Sequence, residues 1–541
     1  MSSFNNESKP LPSLDDSEFT LQRSVSCGFV DEPEFTLQRS ASCGSNYPCE
    51  NPIIKGALIM IHNVPLSETD LRVVDNPDAS FGILEIEVAE TKQTDRPTYI
   101  EFDIDISGSM NDGDGDGVKR KIDFVKKTLE SMCQFIAEQP TAVIYIKVNT
   151  FDDHYKTIIP ATRITLENRT ELINIISKVE PNGCTNIENT FTKSGKSIEE
   201  YKDLNPTHKV VYVLLTDGNP TTGNTSIKYL ISKKPNAENK CIGFGSDHNA
   251  SLLIGCGDYY FINDFENTGK VYGEILHKLL YPAIEDVTIR LNDGKIYDSK
   301  TNSWEDSITI PDLYSGQKRE FHIKTAFQEP VAVIYGRVVG ILDDVFLNDN
   351  IEELYTASVL PNLCDEDNVP DNIDLMKYMY RQRTQELMFE SIEYTDQSTV
   401  NNAYKPKLQS FFKQMRNYMR ENNLLEDPFM NLLCDDIQIT FKTFGTENAK
   451  MYTVSRHRSQ GQQSACRASS QPVYDRVDRC GYIQRAMATT DNEQFNEDEY
   501  DDEYLKEPDE DDLRYFVSQN NDDNLYADSK IQRTMRGVSG V

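Results

Sequence analysis

The sequence predicts an α/β protein: a doubly wound, mostly parallel sheet, extended by an accessory β portion, a helical segment and disordered termini. Three observations lead there. Between residues 98 and 282, short apolar runs of strand character alternate with segments of helical period, the pattern of βαβ units and of a sheet covered on both faces. Past Pro282 apolar and polar residues alternate between turn signals such as Asn292-Asp293-Gly294, as antiparallel strands do. Towards both ends the periodicity disappears and Ser, Asn, Pro or acidic residues take over.

Taken in order, residues 1–50 carry EFTLQRSVSCG and its near copy EFTLQRSASCG. Two copies of so short a unit cannot stack into a solenoid, so a duplicated disordered segment is expected. Arg23 and Arg39 each stand three residues before a serine, Ser26 and Ser42. These serines are candidate phosphorylation sites, where phosphate would reverse the local charge. Residues 51–97 hold strand-like ALIMIHNV and FGILEIEVAE, expected to flank the α/β unit. The strand TYIEFDID follows, and then a helix in which Ile122, Val125, Leu129, Cys133 and Ile136 recur at three and four. AVIYIKVNTF, KVVYVLLTDG, CIGFG and DYYFIND supply further strands, separated by helical segments. The accessory β portion is expected over 283–350 and helices over 365–450, including a hairpin within 372–425. An acidic, mostly disordered tail is expected from 455 to 541.

Composition excludes some functions. With 88 acidic against 55 basic residues the formal net charge is −33, which disfavours nucleic acid, whose phosphates need clustered Lys and Arg. No run of 18 apolar residues occurs, and the N-terminus has no signal-peptide pattern, so a soluble cytoplasmic protein is expected. The eleven cysteines form no CxxC pair and are odd in number, consistent with reduced thiols.

The chemistry gathers around FDIDISGSMNDGDGDG, residues 102–117. In open α/β sheets ligands collect at the carboxyl ends of strands, and Asp105 ends one. Ser107 and Ser109 follow at +2 and +4, with Gly108 allowing the loop to curl. Thr185 in NGCTN and Asp217 at the end of VYVLLTDG occupy equivalent places. Two carboxylates and three hydroxyls make a hard-oxygen set suited to Mg²⁺ or Mn²⁺, short enough of ligands to leave a position open.

DISGSM, NGCTN and LLTDGNPT, in this order, resemble the metal-ion-dependent adhesion site (MIDAS) of the von Willebrand factor A (vWA) family. The resemblance covers about residues 98–282. It implies a Rossmann-like vWA fold, with Ser107, Ser109 and Thr185 ligating the ion through hydroxyls and Asp105 and Asp217 acting directly or through water. It also implies a protein partner whose acidic side chain completes the shell. The flanking segments look like those of larger intracellular A-domain proteins of large DNA viruses and of plant ubiquitin-ligase-like proteins, which would place the chain in a host cytoplasm or a virion. Those ligases carry a zinc-binding RING, for which Cys27, Cys43 and Cys49 are too few, so ligase activity does not transfer.

Two features depart from the family. Glu101 and Asp103 share the face of Asp105, and a buried carboxylate must meet a Lys or Arg, take up a proton or stand behind the metal; a structural partner is expected for Asp103. Asp112, Asp114, Asp116 and Asp123 match much of an EF-hand calcium loop. Lys119 stands at a normally apolar position, however, and the last ligand is Asp rather than Glu. A flexible acidic rim is the favoured reading, with Ca²⁺ as the alternative.

Catalysis is not expected. Ser107 lies in no G-x-S-x-G elbow, neither His154 nor His208 is placed by a motif, and there is no phosphate loop. The sequence therefore predicts a non-enzymatic, divalent-cation-dependent protein-binding module. The alternative is a scaffold or substrate adaptor in ubiquitin-type regulation, working through its tails.

Overall fold

A computed structural model of the chain describes residues 53–61, 80–113, 120–245, 247–262, 268–326, 330–340, 351–359, 372–394, 401–444 and 449–462. Ser26, Ser42, Asp114 and Asp116 lie outside the described residues, as do residues 1–50 and, of the tail expected over 455–541, residues 463–541; residues 455–462 are instead helical.

Strands β1 (Ile54–Ile61) and β2 (Ser80–Val88) precede the α/β unit. That unit runs β3 (Thr98–Asp105), α1 (Lys121–Ala137), β4 (Ile144–Phe151), β5 (Tyr155–Arg163), α2 (Arg169–Ile176), α3 (Ile187–Leu204), β6 (Lys209–Thr216), α4 (Ile227–Lys233), β7 (Glu238–Phe244), α5 (Ala250–Cys256), β8 (Asp258–Ile262) and α6 (Thr268–Leu280). Its six strands are ordered β5-β4-β3-β6-β7-β8. All pairs are parallel except the β4–β5 hairpin. Chain order therefore reverses at β3: the next strand lies on one side of it and β6 on the other. The loop after Asp105 stands at this switch point, where the two crossovers diverge and leave a crevice.

Alternation along β3 sends its side chains to two different layers. Ile100, Phe102 and Ile104 pack with α1, α2 and α6 in one core, which includes the whole predicted stripe Ile122, Val125, Leu129, Cys133 and Ile136. Tyr99 belongs to the opposite core, with Ile187, Phe191 and Ile198 of α3. Glu101, Asp103 and Asp105 share the Tyr99 side by the same alternation.

Beyond α6 come β9 (Pro282–Asn292), β10 (Gly294–Asp298), β11 (Ser303–Glu305), β12 (Ser307–Thr309), β13 (Leu313–Tyr314), β14 (Lys318–Thr325), β15 (Val331–Val338) and β16 (Glu352–Val359). With β1 and β2 they form a ten-stranded sheet, ordered β11-β10-β14-β2-β1-β16-β15-β9-β12, with β13 also on β9. Residues 51–97 thus contribute two interior strands of this accessory sheet rather than flanking strands of the α/β unit. Glu285 joins the two parts: its buried carboxylate meets Arg96 and Arg337, each at 2.9 Å, and Lys209 at 3.4 Å.

Helices α7 (Asn372–Tyr394), α8 (Asn401–Glu421), α9 (Pro428–Thr443) and α10 (Ala449–Gln462) complete the described chain. The first three cover Phe81 and Ile83 of β2. Helix α10 continues past residue 455, where apolar periodicity had ended, because it is held by buried polar groups: Arg456 reaches Asp435 at 2.6 Å and Asp436 at 2.8 Å. Its Arg458 donates to the Tyr259 carbonyl at 2.9 Å and pairs with Asp258, covering strand β8 at the sheet edge. Cys133, Cys184, Cys241, Cys256 and Cys434 are free thiols.

Candidate metal centre

The site is assembled by three backbone segments tied to one another. After β3 the chain makes one 3₁₀ turn, Gly108–Asn111, anchored by buried Met110. Gly108 donates its N–H to the Gly183 carbonyl at 3.0 Å and Asn182 donates to Ile106 at 2.5 Å, so the loops of DISGS and NGCTN lie side by side. The N–H groups of Thr221 and Thr222 both donate to the Thr185 carbonyl, at 2.9 and 3.2 Å, which ties in the segment following Asp217. Asn186 then caps α3, its side chain accepting from the Asn189 N–H at 3.0 Å.

These ties bring together all five residues read from the motif. Asp105 is wholly buried; it accepts from the Ser107 N–H at 2.8 Å and from the Thr216 hydroxyl at 2.5 Å. The Ser107 and Ser109 hydroxyl oxygens are 3.2 Å apart, and Ser109 donates to Asp217 Oδ1 at 2.8 Å. A methyl group at Gly218 would sit 3.7 Å from Thr185 Oγ1 and 3.8 Å from Ser109 Oγ, so both hydroxyls border the same small volume. Burial raises Asp105 to about 7 against the hydrogen bonds from Thr216 and Ser107, and the Asp217 charge adds to the rise. A cation beside these carboxylates would relieve that repulsion. The all-oxygen donor set, two seryl oxygens in contact and a carboxylate behind each, fits a hard divalent ion. Among the described residues no three His, Cys, Asp or Glu side chains gather where they could hold a metal ion, so the candidate site rests on two carboxylates and three hydroxyls.

One member of the site was not foreseen. Lys121 Nζ donates to Asp217 Oδ2 at 2.7 Å with its side chain almost fully buried. In sequence it belongs to VKRK, which reads as the solvated start of an amphipathic helix, and no local signal aims its head under β6. Thr216, behind Asp105, was also missed, hidden inside an apolar run.

The remaining candidates are placed elsewhere. Asp112 and Asp123 turn towards basic residues: Asp112 Oδ2 is 3.9 Å from Lys121 Nζ, and Asp123 is bound to the Arg120 guanidinium at 2.8 and 3.0 Å while accepting the Arg120 N–H. That arrangement is an N-terminal cap of α1. Among the described residues no Lys or Arg pairs with Asp103; Asn149 at 2.8 Å, Tyr212 at 2.7 Å and Ser194 hold it. The basic partner went to Glu101, 3.1 Å from Lys147. His154 is an exposed loop residue near Asp152, and His208 is bonded to Tyr201.

Residues 102–219 match the family model of the von Willebrand factor type A domain, a span that opens on β3 and closes two residues after Asp217. The chain contains a vWA domain. Among solved structures it is similar to a von Willebrand factor type A protein from Catenulispora acidiphila, 13% identical over 72% of this chain and 91% of that one, with a TM-score of 0.44. The ArnB paralog VWA2 from Sulfolobus acidocaldarius is 15% identical over 76% and 99%, again with a TM-score of 0.44. Proximal thread matrix protein 1 from the mussel byssus, described with a zinc-occupied MIDAS motif, is 20% identical over 36% and 47%, with a TM-score of 0.27. No curated protein matches the chain. vWA domains often mediate protein–protein interaction and some carry a metal at the MIDAS. No helix among the described residues is long and apolar enough to cross a membrane.

Proposed function

We propose that the vWA domain is a non-enzymatic, divalent-cation-dependent protein-binding module. Ser107, Ser109 and Thr185 would hold Mg²⁺ or Mn²⁺ through hydroxyl oxygens, with Asp105 and Asp217 acting directly or through water. The ion would supply an open, positively charged position to an acidic side chain of a partner protein. The observation that carries this reading is the contact chain Ser107–Ser109–Asp217, at 3.2 and 2.8 Å, with Thr185 across the same volume. A serine hydroxyl both donates and accepts, so Ser109, which now donates to Asp217, keeps lone pairs for an ion.

The test is isothermal calorimetry of Mn²⁺ and Mg²⁺ on the full chain, followed by partner capture with and without chelator. Asp217→Asn should lose at least about tenfold in ion affinity, since one of two carboxylates is neutralised, and should lose the chelator-sensitive capture. Unchanged ion binding and capture in Asp217→Asn would refute the assignment. Chelator-insensitive capture that maps to residues 1–50 or 455–541 would favour the scaffold or adaptor reading instead.

A further inference from the structure

Lys121 brings a positive charge to Asp217, one of the two carboxylates of the candidate site. It is the first residue of α1, and three contacts determine where its head lies. Its own N–H donates to the Asp112 carbonyl at 3.0 Å, at the base of the acidic insert, which the Gly113–Arg120 bridge closes. Gly245, with φ of +63°, lies alongside the stem: a Cβ there would be in ordinary van der Waals contact, 3.6 Å from Lys121 Cε and 3.8 Å from Nζ. The ammonium then reaches Asp217 Oδ2 at 2.7 Å, while Ser109 holds the other oxygen at 2.8 Å. A buried ammonium needs an opposite charge, and Asp217 provides it.

A divalent ion beside Ser107, Ser109 and Asp217 would share that carboxylate with a positive charge a few ångströms away. Like charges at such range disfavour one another. The lysine has an alternative, because Asp112 Oδ2 is already within 3.9 Å of Nζ and its side chain is 68% exposed. We infer that Lys121 is a tethered counter-cation of the ion site: its ammonium neutralises Asp217 in the ion-free domain and moves to Asp112 when a divalent ion binds. It thereby sets the affinity for the ion and couples ion loading to the base of the acidic insert.

This inference rests on the ion-site reading above, and calorimetry with Mn²⁺ on the full chain separates the two. Lys121→Met keeps the stem and removes the charge, so it should bind Mn²⁺ about tenfold more tightly than the wild type. Lys121→Arg keeps the charge and should stay within about threefold of the wild type. Asp112→Asn should weaken binding several-fold in the wild-type background and much less in Lys121→Met, because the displaced ammonium is then absent. Tight binding by Lys121→Met with none by the wild type would also support the inference, the ammonium then competing with full effect. If Lys121→Met bound Mn²⁺ no better than the wild type, or Lys121→Arg tightened equally, the counter-cation role would be overturned while the ion site stood. If neither the wild type nor Lys121→Met bound Mn²⁺, the ion-site reading would fail, and this inference with it.

Discussion

Glu101, Asp103 and Asp105 hang from the same face of β3, the first two inside the sheet layer and Asp105 at its rim, where Asp217, just past β6, joins it. Inside, Glu101 accepts from Tyr99 at 2.7 Å, Ser197 at 2.8 Å, Asn149 at 3.0 Å and Tyr155 at 3.2 Å, besides Lys147. Asp103 next to it is closed by Asn149, Tyr212 and Ser194. These donors come from β3, α3, β4, β5 and β6, and they fill the carboxylates' acceptor positions. At the rim, Asp105 has Thr216 and the Ser107 N–H, and Asp217 has Ser109 and Lys121. Two of these rim donors can leave or turn, a seryl hydroxyl by rotation and an ammonium on a flexible stem. The inner partners are locked by packing, so the inner pair serves the fold, whereas at the rim Asp217 holds both donors that can move and can exchange partners.

The sharpest way to break this contrast is to truncate one carboxylate in each group. Asp103→Ala strands the Tyr212 and Ser194 hydroxyls and the Asn149 amide in a buried layer and should cost about 3–5 kcal/mol of unfolding free energy in urea. Asp217→Asn should cost less, about 1–2 kcal/mol, because the Lys121 ammonium can turn to Asp112 instead of staying buried and unpaired. Equal losses would erase the distinction between a structural and an exchangeable pair.

A pH series sharpens the inner half. Burial, with the Glu101 charge next, raises Asp103 to about 7, above its unfolded value. The stability it contributes is therefore fully present below about pH 3.8 and is lost as pH rises through 7. Burial depresses His248 to about 4, His322 to about 3 and His457 to about 4, so these oppose it: they stay neutral in the fold, and stability falls as pH drops below about 6.5. Since the histidines are common to both proteins, the difference between wild type and Asp103→Asn isolates the carboxyl. That difference should favour the wild type at pH 4 and shrink by a few kcal/mol towards pH 8. A difference independent of pH would mean that Asp103 is ionised throughout.

How much of this was legible in the sequence depends on whether a residue's partner is local. Asp105, Ser107 and Ser109 lie within one loop, and Thr185 and Asp217 announce themselves as residues opening a helix and ending a strand, so the switch-point geometry follows from strand–helix alternation. Strands β1 and β2 were legible as strands but not as members of the accessory sheet, because β1 pairs with β16 and β2 with β14, partners more than two hundred residues away. Helix α10 was illegible beyond residue 455 for another reason: Arg456, Ser459 and Gln460 are buried polar residues and leave no apolar stripe. Lys121 combines both difficulties, a charged residue whose partner is distant and whose burial contradicts its type.

Removing the ion probes the outer pair as a whole. The α/β sheet has its own apolar cores, so chelation should lower the thermal midpoint by only a few degrees, corresponding to about 2.7 kcal/mol if the ion stands at a hundred times its dissociation constant. The shift should vanish in Asp217→Asn. Unfolding on chelation would make the ion structural and place the rim with the inner pair.

The smallest expected effect concerns the acidic insert that follows Asp112. Asp112 faces Lys121 across 3.9 Å and Asp123 is committed to Arg120, so two of the four oxygen donors that a calcium loop would use already serve basic side chains. Replacing Asp112, Asp114 and Asp116 together by Asn should therefore leave the number of ions bound per chain unchanged in a Ca²⁺ and Mg²⁺ titration. It should weaken cation affinity by less than about 1 kcal/mol, and more so at low salt, because exposed charges are screened beyond about 10 Å at 0.1 M. Loss of one calcium equivalent, with Mg²⁺ binding at Ser107 and Ser109 intact, would instead show that the insert is an ion site of its own. Lys121 would then stand between two cations, and Asp112 could not be where its ammonium goes.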